Sequence, residues 1–225
     1  MATVLLVDIT RLTAADVDQL ARQASPERRE RAARFRFEAD RLRCLVAGAL
    51  LAHALVRTHR LRPDDYTITR NRYGKPLLQD RPGVEFNLSH AGSWVVCATG
   101  TDPVGVDVEA LANARPHLAD GMFAPDERDY VLGGPAAEAS LRFTRVWTLK
   151  EAYTKYLGRG LSEPLDRFSV LTGDGLVPAG EGVPAPSLHW RTVDDAAGIV
   201  AWCGTAAAGW ELLSVESAEL VAGLG

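Results

Sequence analysis

The chain has 225 residues, of which 47% are hydrophobic and 24% are charged, and its formal net charge is -4 at pH 7. This composition is that of a globular protein with a sizeable core, and it excludes a disordered chain. The longest apolar run, residues 44–56, is too short for a membrane span, which needs roughly 20 apolar residues. The N-terminus lacks a signal-peptide pattern, and the three cysteines are too widely spaced to predict a disulfide framework or a metal cluster. A cytoplasmic protein that does not bind membranes is therefore expected.

Positive charge is concentrated in residues 1–62, which carry 12 arginines against 7 acidic residues. Five of these arginines crowd into one short stretch: Arg28, Arg29, Arg31, Arg34 and Arg36. A basic patch can bind nucleic acid, but no groove-reading motif accompanies this one, and a solvated helical face is the alternative. Nucleic acid is therefore not expected as a partner.

The first third of the chain is predicted to be helical. Ser25-Pro26-Glu27 has the pattern of a helix start, with a capping serine and a proline at the first helical position. An apolar stripe over residues 38–58 predicts a longer second helix. Four short strands follow in the sequence pattern: residues 66–69, 84–88, 94–99 and 104–108.

The order of helices followed by strands then repeats. A helical region covers residues 126–157, with a break at 133–135, and the strands expected after it are residues 167–171, 187–192, 199–203 and 211–215. The repeat predicts an α+β fold of two similar lobes, residues 1–104 and 105–225, each with a small antiparallel sheet packed against helices. The cleft between such lobes is a common place for a small-molecule site. Because one chain can form this cleft by itself, a monomer is expected.

Lysine is rare in this chain and occurs in two short motifs. Lys75 lies in Tyr-Gly-Lys-Pro at residues 73–76, and Lys150 and Lys155 lie in Trp-Thr-Leu-Lys-Glu-Ala-Tyr-Thr-Lys at residues 147–155. Every other cationic side chain is an arginine, which is a planar fork, whereas lysine is a compact and flexible charge suited to phosphate oxygens. The pattern predicts chemical roles for the three ammonium groups, with GC-rich coding as the alternative explanation.

The sequence Gly-Val-Asp-Val-Glu at residues 105–109 alternates strictly between acidic and apolar side chains. On a strand, Asp107 and Glu109 therefore project from one face, roughly 6–7 Å apart along the chain. Two carboxylates so placed can converge on a hard cation such as Mg²⁺, which also takes oxygens from water and phosphate. The alternative is a pair of ordinary solvent-facing acids on an amphipathic strand.

Two further stretches carry polar groups in places that favour a site. Glu151 and Lys155 share a helix face with Trp147, so Glu151 is a candidate third metal ligand and Lys155 a candidate phosphate contact. An aromatic core residue beside an ordinary Glu–Lys helix pair is the alternative. Asn-Leu-Ser-His at residues 87–90 ends an apolar strand with polar side chains, as expected where a strand end meets a ligand.

Residues 71–77, 86–90, 105–109 and 147–161 together closely resemble the Sfp-type 4'-phosphopantetheinyl transferases. Gly-x-Asp-x-Glu followed by Trp-x-x-Lys-Glu-x-x-x-Lys is a specific combination, and the similarity extends from residue 25 to residue 170. The resemblance implies two pseudo-twofold-related α+β lobes with coenzyme A (CoA) bound between them. It also implies Mg²⁺-dependent transfer of the phosphopantetheine arm to a serine of an apo peptidyl or acyl carrier protein, with release of adenosine 3',5'-bisphosphate. Carriers of secondary metabolism are favoured over a dedicated fatty-acid role.

The same resemblance implies a role for each matching residue. Asp107, Glu109 and Glu151 would hold Mg²⁺, and Asp107, Glu151 and Lys155 would carry the catalysis. The residues implied to contact CoA are Arg28, Arg31, Arg43, Lys75, Ser89, His90 and Lys155. This chain has arginine at positions 28 and 31, where the family often has lysine. The difference retains the positive charge but alters the contact geometry. The base is either Glu151 or a water molecule bound to the metal.

Other functional interpretations lead to different expectations. Another Mg²⁺-dependent phosphoryl or nucleotidyl transferase would need a motif such as a P-loop, which this sequence lacks. A non-catalytic CoA-binding module would fit a degraded metal triad, whereas all three acids are present. Leu118, Met122 and Phe123 follow the metal strand, and they are interpreted either as a carrier-docking surface or as core residues at a helix end.

Overall fold

The computed structural model describes residues 2–205 and 210–222. Its strands are β1 (Ala2–Asp8), β2 (Ile68–Arg70), β3 (Pro76–Leu78), β4 (Glu85–Ala91), β5 (Trp94–Gly100), β6 (Gly105–Ala110), β7 (Pro186–Val193), β8 (Gly198–Thr205) and β9 (Trp210–Ser214). Its α-helices are α1 (Ala14–Gln23), α2 (Pro26–Ala33), α3 (Glu38–His59), α4 (Ala119–Met122), α5 (Pro125–Leu132), α6 (Ala139–Leu157) and α7 (Ser217–Ala222). Short 3-10 turns lie at Ile9–Arg11, Pro63–Asp65, Leu111–Asn113, Pro116–Leu118, Ala136–Glu138, Gly160–Ser162 and Leu165–Arg167. None of these described helices is long and apolar enough to cross a membrane.

Two sheets pack face to face, and each carries one long helix on its outer face. The first sheet has the strand order β4-β5-β1-β9 and the second the order β6-β8-β7, with β2 and β3 forming a separate hairpin. α3 packs on the first sheet and α6 on the second. Buried residues of the layer between the sheets are Val4, Leu6, Trp94, Val96, Ala98, Val104, Val106, Val108, Val200 and Trp202. Burial of each large apolar side chain stabilises the fold by about 1.5–3 kcal/mol.

The first sheet joins the two ends of the described chain. β1 pairs antiparallel with β5 and parallel with β9. Leu220 and Val221 of α7 belong to the same buried cluster as α3. Residues 210–222 are therefore attached to the sheet of residues 1–104, although the sequence analysis grouped them with residues 105–225. The parallel pair also departs from the all-antiparallel expectation, and β9 covers an edge of β1 that would otherwise be open to pairing.

β1 is a strand within a part of the chain whose sequence predicts a helical region. Val4 and Leu6 face the second sheet, whereas Leu5 and Val7 face α3, so the strand is buried on both sides. An apolar run of this kind lacks alternation, and periodicity alone does not distinguish it from a buried helix.

The two helix predictions in the first third of the chain are confirmed. Ser25 caps α2 and accepts a hydrogen bond from the backbone N–H of Arg28 at 3.2 Å, with Pro26 at the first helical position. α3 begins at the predicted residue, Glu38, and ends one residue beyond the predicted end. Its C-cap, Arg60, has a φ of 58° in the left-handed region, which ends the helix.

The strand predicted at residues 167–171 is wrong. The segment is a 3-10 turn followed by a loop. Val170 and Phe168 use their backbone groups for bonds to side chains instead of a neighbouring strand: the N–H of Val170 donates to Glu127 at 2.7 Å, and the carbonyl of Phe168 accepts from Lys150 at 2.7 Å. The β-branched and aromatic residues that favour a strand here serve to pack the loop against α6.

The α+β class is confirmed, with small sheets packed against helices. The pseudo-twofold relation of two lobes stays a prediction. One long helix on the outer face of each sheet is compatible with it.

Candidate active site

β6 and α6 come unusually close at Gly105. A Cβ at this position would lie 2.0 Å from the carbonyl oxygen of Ala152 and 2.4 Å from the backbone nitrogen of Tyr156. Any side chain would therefore separate the strand from the helix. The close approach brings Asp107 on β6 within reach of Lys155 on α6.

Alternation along β6 turns its acids towards the helix. Val106 and Val108 are buried between the two sheets, so Asp107 and Glu109 project from the opposite face. This confirms the shared face predicted for the two carboxylates.

Asp107 is the centre of a compact hydrogen-bonded group. Its Oδ1 atom lies 2.6 Å from the Nζ of Lys155 and accepts a hydrogen bond from the Ser89 hydroxyl at 2.7 Å. Lys155 also donates to the Oγ of Ser89 at 3.0 Å. Asn87 anchors β4 to β6 by accepting from the backbone N–H of Val106 at 3.0 Å. The polar strand end at residues 87–90 therefore positions Ser89 against the carboxylate.

Three carboxylates crowd around one ammonium group at this point. Burial, and then the neighbouring charge of Asp107, raise the pKa of Glu109 to about 7. Burial also raises the pKa of Glu151; Lys155 opposes this shift and Asp107 adds to it. Burial and the neighbouring carboxylates thus both disfavour the ionised forms, which a nearby cation would stabilise.

A cavity of about 440 Å³ opens beside this group. The predicted CoA contacts that line it are Arg28, Arg31, Ser89, His90 and Lys155. Arg70 on β2 lines it too, although the sequence analysis did not select this residue. The only signal for Arg70 was its position before the Tyr-Gly-Lys-Pro motif. Four cationic side chains and His90, against the single acid Glu27, make the described wall strongly attractive to anions.

Arg43 and Lys75 are not among the residues that line this cavity. Arg43 donates to Asp40 and to the carbonyl of Gly92, each at 2.6 Å. Its charge adds to the effect of burial in lowering the pKa of His90. The ammonium group of Lys75 donates to the carbonyl of Val104 at 3.1 Å, and burial lowers its pKa.

The chemical role predicted for Lys150 is wrong. Its ammonium group is fully buried, 2.6 Å from Glu127, and donates at 2.7 Å to the carbonyl of Leu165 as well as to Phe168. A ligand in the cavity is out of its reach, because all of its contacts lie inside the core. Lys150 instead ties the loop after α6 to α5.

Phe123 belongs to the core rather than to a docking surface. It is 5% exposed, and its ring centroid lies 5.3 Å from that of Phe143 and 6.4 Å from that of Trp147. Met122 is half-buried in the same cluster, whereas Leu118 is 38% exposed. Of the two interpretations of this stretch, the core interpretation is therefore correct for Phe123.

The carboxylate oxygens of Asp107, Glu109 and Glu151 are suitable ligands for a divalent cation. The Oδ2 atom of Asp107 is buried and has no hydrogen-bond partner among the described residues. Within residues 2–205 and 210–222, no three His, Cys, Asp or Glu side chains are arranged to hold a metal by themselves. Mg²⁺ does not require such a cage, because it commonly uses one or two carboxylates together with water and substrate phosphates. The free oxygen of Asp107 and the crowded acids Glu109 and Glu151 fit that demand.

A cationic cavity that ends at a cluster of acids is the arrangement of a protein that binds a phosphorylated ligand. Comparison with known families makes this class more specific. The family described as the 4'-phosphopantetheinyl transferase superfamily matches residues 103–206, and the family described as 4'-phosphopantetheinyl transferase, N-terminal, matches residues 12–102.

Individual relatives agree with these family matches. The chain is 37% identical over 154 residues to 4'-phosphopantetheinyl transferase Sfp of Bacillus subtilis (strain 168), covering 68% of this chain and 69% of the relative. It is 35% identical over 160 residues to 4'-phosphopantetheinyl transferase psf-1 of Bacillus pumilus, covering 71% and 69%. It is 30% identical over 201 residues to 4'-phosphopantetheinyl transferase HetI of a Nostoc species, covering 87% and 84%. The chain belongs to the 4'-phosphopantetheinyl transferase superfamily, and its enzymatic class is that of a transferase.

Proposed function

We propose that this protein transfers the 4'-phosphopantetheine arm of CoA to a serine of an apo carrier protein. The serine oxygen forms a bond to the β-phosphorus, the bond from that phosphorus to the leaving oxygen breaks, and adenosine 3',5'-bisphosphate departs. The observation that carries the proposal is the cavity in which Arg28, Arg31, Arg70 and Lys155 meet, and which opens beside Asp107. Phosphoryl transfer depends chiefly on positioning and on stabilisation of charge, and this wall supplies both.

The cations of the cavity divide between substrate binding and turnover. Among the described residues, Arg28, Arg31 and Arg70 line the cavity without forming the ion pair to Asp107 that Lys155 forms, and they bind phosphate oxygens of CoA in the ground state. Lys155 lies within 2.6 Å of Asp107, where charge develops on the transferred phosphoryl group. Its ammonium group therefore stabilises the transition state more than the bound substrate.

Asp107, Glu109 and Glu151 are the residues that would hold Mg²⁺. When bound, the metal would offset the negative charge of the phosphate oxygens during transfer. The serine proton needs an acceptor, and Glu151 is the proposed one because it lies on the α6 face that carries Lys155.

The proposed partner is a peptidyl or acyl carrier of secondary metabolism, as for Sfp-like proteins. We further propose a monomer in a reducing cytoplasm. The free cysteines Cys44, Cys97 and Cys203, all of them buried, support a reducing compartment.

One experiment tests the proposal directly. Purified protein is incubated with an apo carrier, CoA and MgCl₂, and the carrier is then analysed by intact-mass spectrometry. The expected result is a mass increase equal to one phosphopantetheine group, absent with a carrier whose acceptor serine is changed to alanine. Chelation by EDTA should stop the reaction, and added MgCl₂ should restore it. CoA binding with an unchanged carrier mass would instead identify a non-catalytic CoA-binding module.

A further inference from the structure

Gly48 occupies an unexpected place in the middle of α3. The helix is otherwise rich in alanine and leucine around it, as in Ala47, Ala49 and Leu50. Glycine destabilises a helix interior relative to alanine, because it loses more backbone freedom on folding. A glycine here therefore calls for a reason outside the helix itself.

The side chain of Arg28 crosses α3 at Gly48. A Cβ at position 48 would lie 2.9 Å from the Nε of Arg28 and 3.3 Å from its Cδ and Cζ. These atoms lead directly into the guanidinium group. Arg28 thus crosses the helix at Gly48, the residue of this turn that has no side chain.

Arg28 also separates two neighbouring cavities. It lines the cationic cavity of about 440 Å³ and a second one of about 320 Å³ between α2, α3 and the β2 segment. The second cavity is lined largely by apolar groups, including Leu20, Leu45 and Ala49. Gly48 lines the second cavity as well, so a side chain at position 48 would take up space that the Arg28 side chain now occupies beside it.

We propose that Gly48 is a positioning residue that seats the guanidinium of Arg28 for a phosphate group of CoA. The inference rests on the proposed function, because it takes CoA as the ligand of the cationic cavity. Arginine binds phosphate through a planar fork, so its contacts depend on orientation as well as on distance. A lysine would tolerate displacement better, because its ammonium group is a flexible point charge. The arginine at position 28 is thereby matched to the glycine at position 48.

The direct test is Gly48→Ala. A Cβ at 2.9 Å forces Arg28 to move, and this movement costs little stability because it affects the far end of a flexible side chain. The dissociation constant of CoA, measured by calorimetry, should rise about tenfold, as for a lost charge-assisted hydrogen bond. The melting temperature should stay the same or rise, because alanine is the better helix former. Gly180→Ala is the matched control, since its Cβ would meet only Val183 at 3.7 Å.

A double-mutant cycle shows whether Gly48 acts through Arg28. In an Arg28→Ala background, Gly48→Ala should leave CoA affinity unchanged, and in an Arg28→Lys background it should cost clearly less than in the wild type. With saturating CoA, the turnover number of Gly48→Ala should match the wild type while KM for CoA is raised. Unchanged CoA affinity in the single variant, or an equal loss without Arg28, would overturn the inference.

The outcome for Gly48 is separable from the outcome for the proposed function. Calorimetry needs no carrier protein, so a wild type that binds CoA without modifying a carrier refutes the transfer reaction and still tests Gly48. A wild type that transfers phosphopantetheine, together with a Gly48→Ala variant of normal CoA affinity, refutes the positioning role alone.

Discussion

Replacement of Lys150 by methionine should strongly destabilise the protein. Lys150 and Glu127 are both fully buried, and their charged atoms lie 2.6 Å apart. The ammonium group also satisfies the carbonyls of Leu165 and Phe168 at 2.7 Å each, and it lies 4.1 Å from the centre of the Phe168 ring. Methionine fills a similar volume but donates no hydrogen bond. The variant therefore leaves a buried carboxylate without its counter-charge and two carbonyls without their donor.

The expected loss in the free energy of unfolding is about 3–5 kcal/mol, the usual cost of removing one partner of a buried ion pair. Glu127 keeps two backbone donors, Ala124 at 3.0 Å and Val170 at 2.7 Å, which moderates the penalty. Arg128→Met is the control, because Arg128 pairs with Asp129 at the surface, where an exposed ion pair contributes little to stability. The double variant Glu127→Gln/Lys150→Met should be more stable than Lys150→Met, since the glutamine removes the unpaired buried charge.

Urea denaturation at several pH values is the appropriate assay. Burial raises the pKa of Glu127, and Lys150 opposes this shift, so loss of Lys150 raises the pKa further. Between the unfolded and folded pKa values the folded state holds an extra proton, so the stability of the variant should increase as pH falls through the folded pKa. The gap between wild type and Lys150→Met should thus be smaller at pH 5 than at pH 8. A loss below about 1 kcal/mol, or a gap that widens at low pH, would refute the structural role assigned to the pair.

Four further substitutions test the site. Asp107→Ala should lower transfer at least about 100-fold while CoA binds nearly as well, since the other cavity cations remain; full activity would remove Asp107 from the metal site. Lys155→Ala should lower kcat more than CoA affinity, and a change in KM alone would assign Lys155 to ground-state binding. Arg70→Ala should raise the dissociation constant of CoA about tenfold. Arg72→Ala is the control, because the exposed side chain of Arg72 stacks on a neighbouring ring, and equal effects of the two substitutions would contradict the role of Arg70. Phe123→Ala should cost about 3–5 kcal/mol of stability with no selective change in carrier KM, and the reverse pattern would restore the docking interpretation.

The parts of the site that could be predicted from sequence are those encoded locally. The i, i+2 spacing of Asp107 and Glu109 places them on one strand face, and the i, i+4 spacing of Glu151 and Lys155 places them on one helix face. Both inferences need only the geometry of one element. The meeting of strand and helix depends on Gly105, whose contact with the α6 backbone is tertiary and leaves no mark in a local pattern.

Arg70 and β1 were missed for a related reason. Arg70 is one arginine among many, and only the folded hairpin of β2 and β3 brings it to the wall that Arg28 and Arg31 approach from α2. β1 is covered by the second sheet on one face and by α3 on the other, and this burial erases the alternation on which strand prediction depends.

Two arginines of this chain lie directly over a glycine. Arg142 is buried against Gly134, where a Cβ would lie 2.6 Å from its Cζ, and Arg28 crosses Gly48 in a similar way. Both planar guanidinium groups thus lie where a glycine leaves room for them.

Lys150 and Lys155 each satisfy more than one neighbouring polar group. Lys150 satisfies one carboxylate and two carbonyls with its three ammonium donors, and Lys155 reaches both Ser89 and Asp107. A compact cation with three donors fits the enclosed site of Lys150, where the broader fork of arginine would overpack the core. The lysine at position 150 is explained by its buried ion pair, whereas a role in transfer is proposed for Lys155, so rarity of a residue type marks a demanding environment before it marks a catalytic one.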